Sequence, residues 1–200
     1  ENWAHDTEVF QRWTDTLLEP AVAAIEALKA KLGVERSEVN MDGKKVMICT
    51  PSAQSKFCTD YVMSLLATQR MFQEKSISYK WIVEGGNSDI CAARNELLAV
   101  FLYSDFTHML FIDDDMGWDP QAVSRLFFAN KDFVSVAGRK KRDTEIYALN
   151  LFKTTGDATI PVKIDQQSWT AEAKSIGMAF TLLTRNCIET MIESYPDLRY

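Results

Sequence analysis

The chain has 200 residues, of which 46% are hydrophobic and 25% are charged, and its net charge is −6. These values predict one globular core and exclude a disordered or repeat protein, while the acidic balance disfavours a nucleic-acid partner, which requires a basic face. No apolar stretch approaches the roughly 20 residues that span a bilayer, and the first ten residues lack the pattern of a signal peptide, so the sequence predicts a cytoplasmic protein with no transmembrane segment.

The N-terminal region has the spacing of an amphipathic helix. From about residue 7 to residue 32 its apolar side chains recur at steps of three and four, which places them on one helix face. We therefore expect residues 1–42 to form a helical extension that packs on the main domain, residues 43–200, or supports self-association through residues 1–32.

Between residues 45 and 138, apolar runs typical of buried strands alternate with helical segments. The predicted strands are 45–51, 79–86, 108–116 and 132–138, and the predicted helices are 59–74, 90–104 and 119–129. The expected caps are Thr59, Ser88 or Asp89, and Asp119 followed by Pro120. This order predicts an α/β fold with a mostly parallel sheet and helices on both faces. In such sheets ligands bind beyond the carboxyl ends of the strands.

The last part of the chain is less regular. Residues 147–152 and 161–164 are predicted to be strands of a β-rich insertion, and residues 176–183 a further strand, followed by a helix that begins near Thr184 or Asn186. The four cysteines are widely spaced and include no C-x-x-C pair, which favours reduced, structural thiols.

Three adjacent acids, Asp113, Asp114 and Asp115, follow the most apolar strand. At roughly 5 Å and an effective dielectric constant near 20, each pair of carboxylates costs about 3 kcal/mol, a large part of the roughly 5 to 15 kcal/mol that stabilises a domain. A compensating cation is therefore expected, and carboxylate oxygens suit Mg²⁺ or Mn²⁺. If the strand continues through the acids, Asp113 and Asp115 face one way and Asp114 the other. The alternative interpretation is a solvated acidic turn.

Other charged residues follow neighbouring strands. The basic run Arg139–Arg142 is expected at the same sheet edge, where it could neutralise a diphosphate or pair with the acids. Glu84 precedes Gly85-Gly86, which permits close approach of a ligand or forms an ordinary turn. Arg94 could reach an acid at the edge or make a surface salt bridge.

Four segments together resemble family-2-like glycosyltransferases of the GT-A fold. They are VMICTP, VEGGNSDICAARN, HMLFIDDDMGWDPQAV and SIGMAFTLLTRNCIETM, spread over about residues 45–195. The resemblance implies a GT-A-type, Rossmann-like α/β/α sandwich. It also implies metal-dependent transfer of a sugar from a UDP- or GDP-type nucleotide-diphosphate sugar to an acceptor, and it leaves open whether that acceptor is a glycan, a protein or a small molecule.

In that family, a D-x-D motif binds Mn²⁺ or Mg²⁺ and the donor diphosphate, and Asp113, Asp114 and Asp115 match it. The resemblance implies that Asp115 is the principal metal ligand and Asp113 a second one. It also implies that Asp113 or Asp114 lies near the ribose and the sugar.

The remaining implied donor-binding residues are spread over the other segments. Thr50 and Pro51 match the end of the first strand, which lines the nucleoside pocket, and Glu84 matches an acid that contacts the base. Arg94 matches an arginine near the nucleotide, and Gly177 matches a glycine-containing strand near the donor sugar and the acceptor.

The resemblance identifies no catalytic base, because the family places an acidic base, and often a histidine metal ligand, downstream of the R-x-x-x-E-x-M helix, and this sequence ends at Tyr200. Inverting sugar transfer needs a carboxylate that deprotonates the acceptor hydroxyl, while the metal stabilises the departing diphosphate.

Two alternatives stay open. The first is a degenerate GT-A domain that serves as a nucleotide-binding or assembly module. The second is a sugar-nucleotide nucleotidyltransferase, which is disfavoured because PSAQSKF after the first strand contains no glycine. A phosphate-loop hydrolase is excluded, since no G-x-x-x-x-G-K-[ST] occurs.

Overall fold

The structure is a computed structural model that describes residues 42–138, 147, 149–150, 164–165, 168 and 170–198. The helical extension predicted for residues 1–42 lies outside these ranges except for Asp42, and so does the basic run at residues 139–142. The self-association predicted for residues 1–32 therefore stays a prediction, as does the predicted place of the basic run at the sheet edge.

A five-stranded sheet forms the centre of the described domain. Its strands are β1 (Lys45–Ser52), β2 (Ser78–Gly85), β3 (His108–Ile112), β4 (Phe133–Ser135) and β9 (Phe180–Thr184). Their spatial order is β2-β1-β3-β9-β4. Strand β1 is parallel to β2 and β3, whereas β9 runs antiparallel to both β3 and β4. The prediction of a mostly parallel sheet is confirmed, with one antiparallel strand inserted in it.

Four α-helices cover the sheet on two faces. They are α1 (Thr59–Glu74), α2 (Ile90–Leu102), α3 (Pro120–Phe128) and α4 (Arg185–Ser194), and a 3₁₀ turn, Pro196–Leu198, follows. Helices α1 and α3 share one apolar core with alternate residues of the strands, and α2 and α4 share the other. In β3, for example, Leu110 and Ile112 belong to the first core, and Met109 and Phe111 to the second. The period-two pattern of buried strands thus produces the predicted three-layer α/β/α arrangement.

The helix starts follow the capping residues closely. Asp89 caps α2, Asp119 caps α3 with Pro120 as its first residue, and Thr184 caps α4, as expected for side chains that accept the free N–H groups of a first turn. Helix α1 differs, because the Sγ atom of Cys58, rather than Thr59, accepts from the N–H of Tyr61 at 3.3 Å.

The apolar residues of 59–74 predict a core face made of Tyr61, Met63, Leu65 and Leu66. This prediction, and that of one strand at residues 176–183, are wrong in part. Met63 and Leu66 are 62% and 55% exposed, because the buried face of α1 follows the steps Tyr61, Leu65 and Thr68, and neither residue lies on that face. The single strand predicted for residues 176–183 is two strands, since the segment leaves one sheet and enters another at Phe180.

The insertion contributes four short strands to two small antiparallel sheets. The strands are β5 (Leu149–Asn150), β6 (Ile164–Asp165), β7 (Thr170–Ala171) and β8 (Ser175–Ile176). Strand β5 pairs with β8, and β6 pairs with β7. Tyr147 forms an isolated β-bridge, and residues 148, 151–152 and 161–163, also predicted as strands, lie outside the described ranges.

All four cysteines are free thiols, as predicted. Cys49 is buried, whereas Cys58 and Cys91 are exposed.

Over the described ranges, no helix combines the length and the apolar character needed to cross a membrane.

Arg185 joins helix α4 to the C-terminal end of α2. Its Nε donates to the carbonyl of Phe106 at 2.9 Å, and its Nη2 donates to the carbonyls of Phe101 and Ser104 at 2.9 and 2.8 Å. The guanidinium also lies over the Phe101 ring, 4.5 Å from its centroid. One side chain therefore satisfies three backbone acceptors, two of them at the end of a helix, where carbonyls lack intrahelical partners.

We predict that Arg185→Met lowers the free energy of unfolding by about 2 to 4 kcal/mol, because it removes three partly buried hydrogen bonds from a charged donor. Urea denaturation measures this change. Arg70→Met is the matched control, since the Arg70 side chain is 81% exposed and pairs with Glu74 of its own helix. Equal stability of the two variants would show that the Arg185 contacts do not stabilise the fold.

Candidate functional site

The residues that follow β1, β2 and β3 lie side by side at one edge of the sheet. The parallel register pairs Pro51 with Glu84 and Cys49 with Phe111. Beyond the end of β3, the residue after Pro51 contacts the acids, since the Ser52 hydroxyl donates to Asp114 at 2.6 Å. The structure therefore brings together Glu84, Pro51 and the acids, although they are far apart in sequence.

The three acids lie in a turn and not on a strand. Strand β3 ends at Ile112, and the N–H of Met116 donates to the carbonyl of Asp113 at 3.2 Å. The prediction that Asp113 and Asp115 face one way and Asp114 the other requires the strand to continue through the acids. Because the strand ends before them, that prediction is wrong. The turn, residues 113–116, is named the acidic turn below.

Asp113 is ion-paired with Arg94. The Nη2 atom of Arg94 donates to Oδ1 of Asp113 at 2.9 Å, and both side chains are largely buried, at 22% and 27% exposure. Burial raises the pKa of Asp113, the Arg94 guanidinium lowers it in part, and Asp115 and Asp114 raise it again. Of the two predicted alternatives for Arg94, the contact with an acid at the sheet edge is the one found.

The rest of the Arg94 guanidinium is held against the sheet. It lies 5.8 Å from the centroid of the Phe111 ring, and its Nε atom is buried with no hydrogen-bond partner among the described residues. A buried donor of this kind favours an acceptor atom close to the acidic turn.

Asp114 is held from the other side, by β1 and the loop after it. The Ser52 hydroxyl donates to Oδ2 of Asp114 at 2.6 Å, and the N–H of Cys58 donates to the Asp114 carbonyl at 3.2 Å. Asp115 is exposed. The turn therefore holds one carboxylate paired with a cation and one bonded to a hydroxyl, and its third acid is an exposed residue.

Thr50 and Pro51 lie at the end of β1, and both are buried. The Thr50 hydroxyl contacts the Tyr61 hydroxyl and accepts from Nε1 of Trp81 at 3.1 Å. Burial raises the pKa of Tyr61 to about 12, so its hydroxyl stays protonated. The Thr50 side chain is thus bonded within the core, and the predicted place of these two residues at a nucleoside stays a prediction.

Glu84 is half-buried at the end of β2. Burial and then the nearby Glu96 carboxyl raise its pKa. A different feature favours glycine at each of the next two positions. A Cβ on Gly85 would lie 2.5 Å from Oγ of Ser55, and Gly86 has a φ of +85°, which other residues rarely adopt. Glycine allows the β2 end to lie closely against the loop after β1.

Gly177 belongs to the segment that enters β9. The Asp113 N–H donates to the carbonyl of Ala179 at 2.9 Å, so residues 177–179 run beside the acidic turn. The Gly177 carbonyl accepts from the Ser135 hydroxyl at 2.9 Å. The structure thus brings Gly177 to the same sheet edge as the acids, and its predicted sugar contact stays a prediction.

A shallow cleft of about 460 Å³ lies between the start of α1 and the residues that follow the acidic turn. Its lining residues are Asp60, Met63, Ser64, Gly117, Trp118 and Asp119. A smaller cleft of about 260 Å³ lies at the opposite sheet edge, beside His108 and Thr184. Neither cleft is lined by Asp113, Asp114 or Asp115, so we define the candidate site by the acidic turn and the residues that contact it.

The chemistry of the acidic turn suits a hard divalent cation. In the part of the chain that the structure describes, no three His, Cys, Asp or Glu side chains form a ready metal cage. Mg²⁺ typically uses one or two protein carboxylates and completes its shell with water and substrate phosphates. The donor set here therefore fits a cation that is bound together with a phosphate ligand.

Ser52 and Cys58 were not among the predicted site residues. Ser52 follows the predicted strand end directly, but its contact with Asp114 depends on a register between β1 and β3 that spacing along the chain does not give. Cys58 acts through its backbone, for which the sequence carries no signal.

Comparison with protein-family models finds no match, and comparison with curated proteins finds none either. Among solved structures, the chain is similar to a glycosyltransferase involved in the glycosylation of the major capsid of PBCV-1. That similarity has a TM-score of 0.34 and 8% sequence identity, and it covers 77% of this chain and 68% of the other. A similarity of this size carries no information about activity or substrate.

We predict that Arg94→Gln raises the pKa of Asp113 further, because it removes the charge that partly offsets burial. A ¹³C-carboxyl NMR titration of the ligand-free protein measures the change. Arg125→Gln is the control, since Arg125 is an exposed residue of the last turn of α3. An unchanged or lower pKa of Asp113 in Arg94→Gln would contradict the assigned ion pair.

Proposed function

We propose that this chain is a metal-dependent glycosyltransferase of the GT-A fold, which transfers a sugar from a UDP- or GDP-type nucleotide-diphosphate sugar to an acceptor. The observation that carries the proposal is the acidic turn at the carboxyl edge of the parallel strands, with Arg94 paired to Asp113. This is the edge at which ligands bind in α/β sheets. The sequence resemblance in four segments supports the same function.

In this proposal, Asp115 and Asp113 hold Mn²⁺ or Mg²⁺ together with the donor diphosphate. The ion supplies Lewis-acid stabilisation of the diphosphate as it leaves. Arg94 keeps Asp113 in place and supplies positive charge beside the acidic turn. The exposure of Asp115 leaves its carboxylate accessible to an incoming ion.

The nucleoside is proposed to lie over the ends of β1 and β2. Glu84 is the base-contacting group, and Thr50 and Pro51 form the floor beneath the nucleoside. The close approach of Gly85 to the Ser55 side chain supports this arrangement, since it keeps the end of β2 beside the loop after β1. Gly177, beside the acidic turn, is proposed to contact the donor sugar.

The first test is a thermal-shift panel of UDP, GDP, CMP and dTDP, each with and without Mn²⁺. At a ligand concentration of about 100 times Kd, binding adds roughly 2.7 kcal/mol, which raises the Tm of a domain of this size by roughly 5 to 10 °C. A Mn²⁺-dependent shift with one nucleotide supports the proposal and identifies the donor base. No shift with any of the four refutes donor binding by this chain.

We predict that Asp115→Ala removes the Mn²⁺-dependent shift and leaves the Tm of the ligand-free protein within about 2 °C of the wild-type value, because an exposed carboxylate contributes little to stability. Asp105→Ala is the control, since Asp105 is an exposed aspartate at the other sheet edge that pairs with Lys45. Normal donor binding by Asp115→Ala would refute the assigned metal ligand.

We predict that Glu84→Ala changes the preference among the four nucleotides by about tenfold or more and leaves the affinity for Mn²⁺ unchanged, because removal of one specific hydrogen-bond partner costs on the order of 1.5 kcal/mol. Isothermal titration of each nucleotide at saturating Mn²⁺ measures the preference. An unchanged order of affinities would mean that a group other than Glu84 determines the base preference.

A further inference from the structure

Ser52 lies where three segments of the carboxyl edge meet, and it is 1% exposed. Its carbonyl accepts from the N–H of Ser55 at 3.1 Å and from the N–H of Gly86 at 3.0 Å. Its hydroxyl bonds to Asp114 at 2.6 Å. One residue therefore contacts the loop after β1, the glycine turn after β2 and the acidic turn after β3.

The hydroxyl hydrogen of Ser52 has two candidate acceptors. The Lys56 carbonyl is 3.3 Å away, and Oδ2 of Asp114 is 2.6 Å away. The carboxylate is charged and closer, and hydroxyl-to-carboxylate bonds are shorter and roughly twice as strong as neutral ones. The hydrogen therefore points at Asp114.

The Lys56 N–H fixes the other side of the same oxygen, because it donates to Oγ of Ser52 at 3.2 Å. The hydroxyl thus accepts from the loop and donates to the acid, and its rotation is restricted by both bonds. Since Ser52 is almost fully buried, water does not readily replace either partner.

We propose that Ser52 is a positioning residue: its hydroxyl holds the Asp114 carboxylate in the orientation that the Mn²⁺–nucleotide complex requires. This inference rests on the proposed function. It assigns no contact between Ser52 and substrate, and Ser52 acts only through Asp114.

The side-chain role is separable from the backbone role. Ser52→Ala removes the hydroxyl and keeps the carbonyl that bonds to Ser55 and Gly86. The contacts from Ser55 and Gly86 therefore remain, whereas the bond from the Lys56 N–H to Oγ is lost together with the bond to Asp114. The comparison with Asp114→Ala separates the two losses. Ser52→Cys has nearly the same volume and a weaker donor, so it is the second variant should Ser52→Ala fold poorly.

The test is a double-mutant cycle on the Kd of the Mn²⁺ complex of UDP, or of GDP if that nucleotide gives the thermal shift. We expect about tenfold weaker binding for Ser52→Ala, from loss of a bond to a charged group, and an intermediate loss for Ser52→Cys. In an Asp114→Ala background, Ser52→Ala should cause no further loss, because two residues that act as one unit are not additive. Ser124→Ala, a half-buried serine of α3 that contacts Met71, is the control.

The outcomes separate the two proposals. Equal affinity of Ser52→Ala and wild type, or losses that add in full in the double variant, would overturn the role of Ser52 while the proposed function stands. Failure of the wild type to bind any Mn²⁺–nucleotide would overturn the proposed function, and the role of Ser52 would fall with it. An unshifted ¹³Cγ resonance of Asp114 in ligand-free Ser52→Ala would also overturn the inference, whatever the protein binds.

Discussion

The constraint on which the site depends is the mutual repulsion of three adjacent carboxylates, which the chain holds at one turn. Each of the first two has a specific partner: Arg94 for Asp113 and the Ser52 hydroxyl for Asp114. These partners come from different layers, one from helix α2 and one from strand β1. The acids are therefore compatible with a stable fold only when the sheet and the helix on its second face are both in place.

The turn conformation follows from this constraint. On a strand, neighbouring side chains point to opposite faces, and here both faces of β3 are filled by apolar cores. A further acid on the strand would enter one of those cores, where burial of a charge is costly. Strand β3 ends at Ile112, so the carboxylates reach the polar edge, where a guanidinium and a hydroxyl meet them.

The sequence predicted local elements well and long-range pairing poorly. The bounds of α1 and the caps Asp89, Asp119 and Thr184 depend on nearby residues, and the structure confirms them. The predicted alternation of the acids was wrong because it required a strand that continues to residue 116, whereas β3 ends at Ile112. The contact of Ser52 with Asp114 was missed because it depends on the register of β1 against β3. The antiparallel direction of β9 likewise has no local signal, because it depends on the segment before β9 entering the sheet at the edge where β3 ends.

The antiparallel strand explains how one sheet edge gathers residues from distant parts of the chain. Strands β1, β2 and β3 end at the acidic turn, whereas β9 begins there, so the segment before it, at Gly177 and Ala179, lies beside Asp113. The same strand ends at the far edge, where Arg185 bonds to the carbonyls that terminate α2. Helix α2 also carries Arg94, the partner of Asp113. The β9–α4 unit therefore contacts the acidic turn directly at one end and, at its other end, holds the helix that supplies the counter-charge.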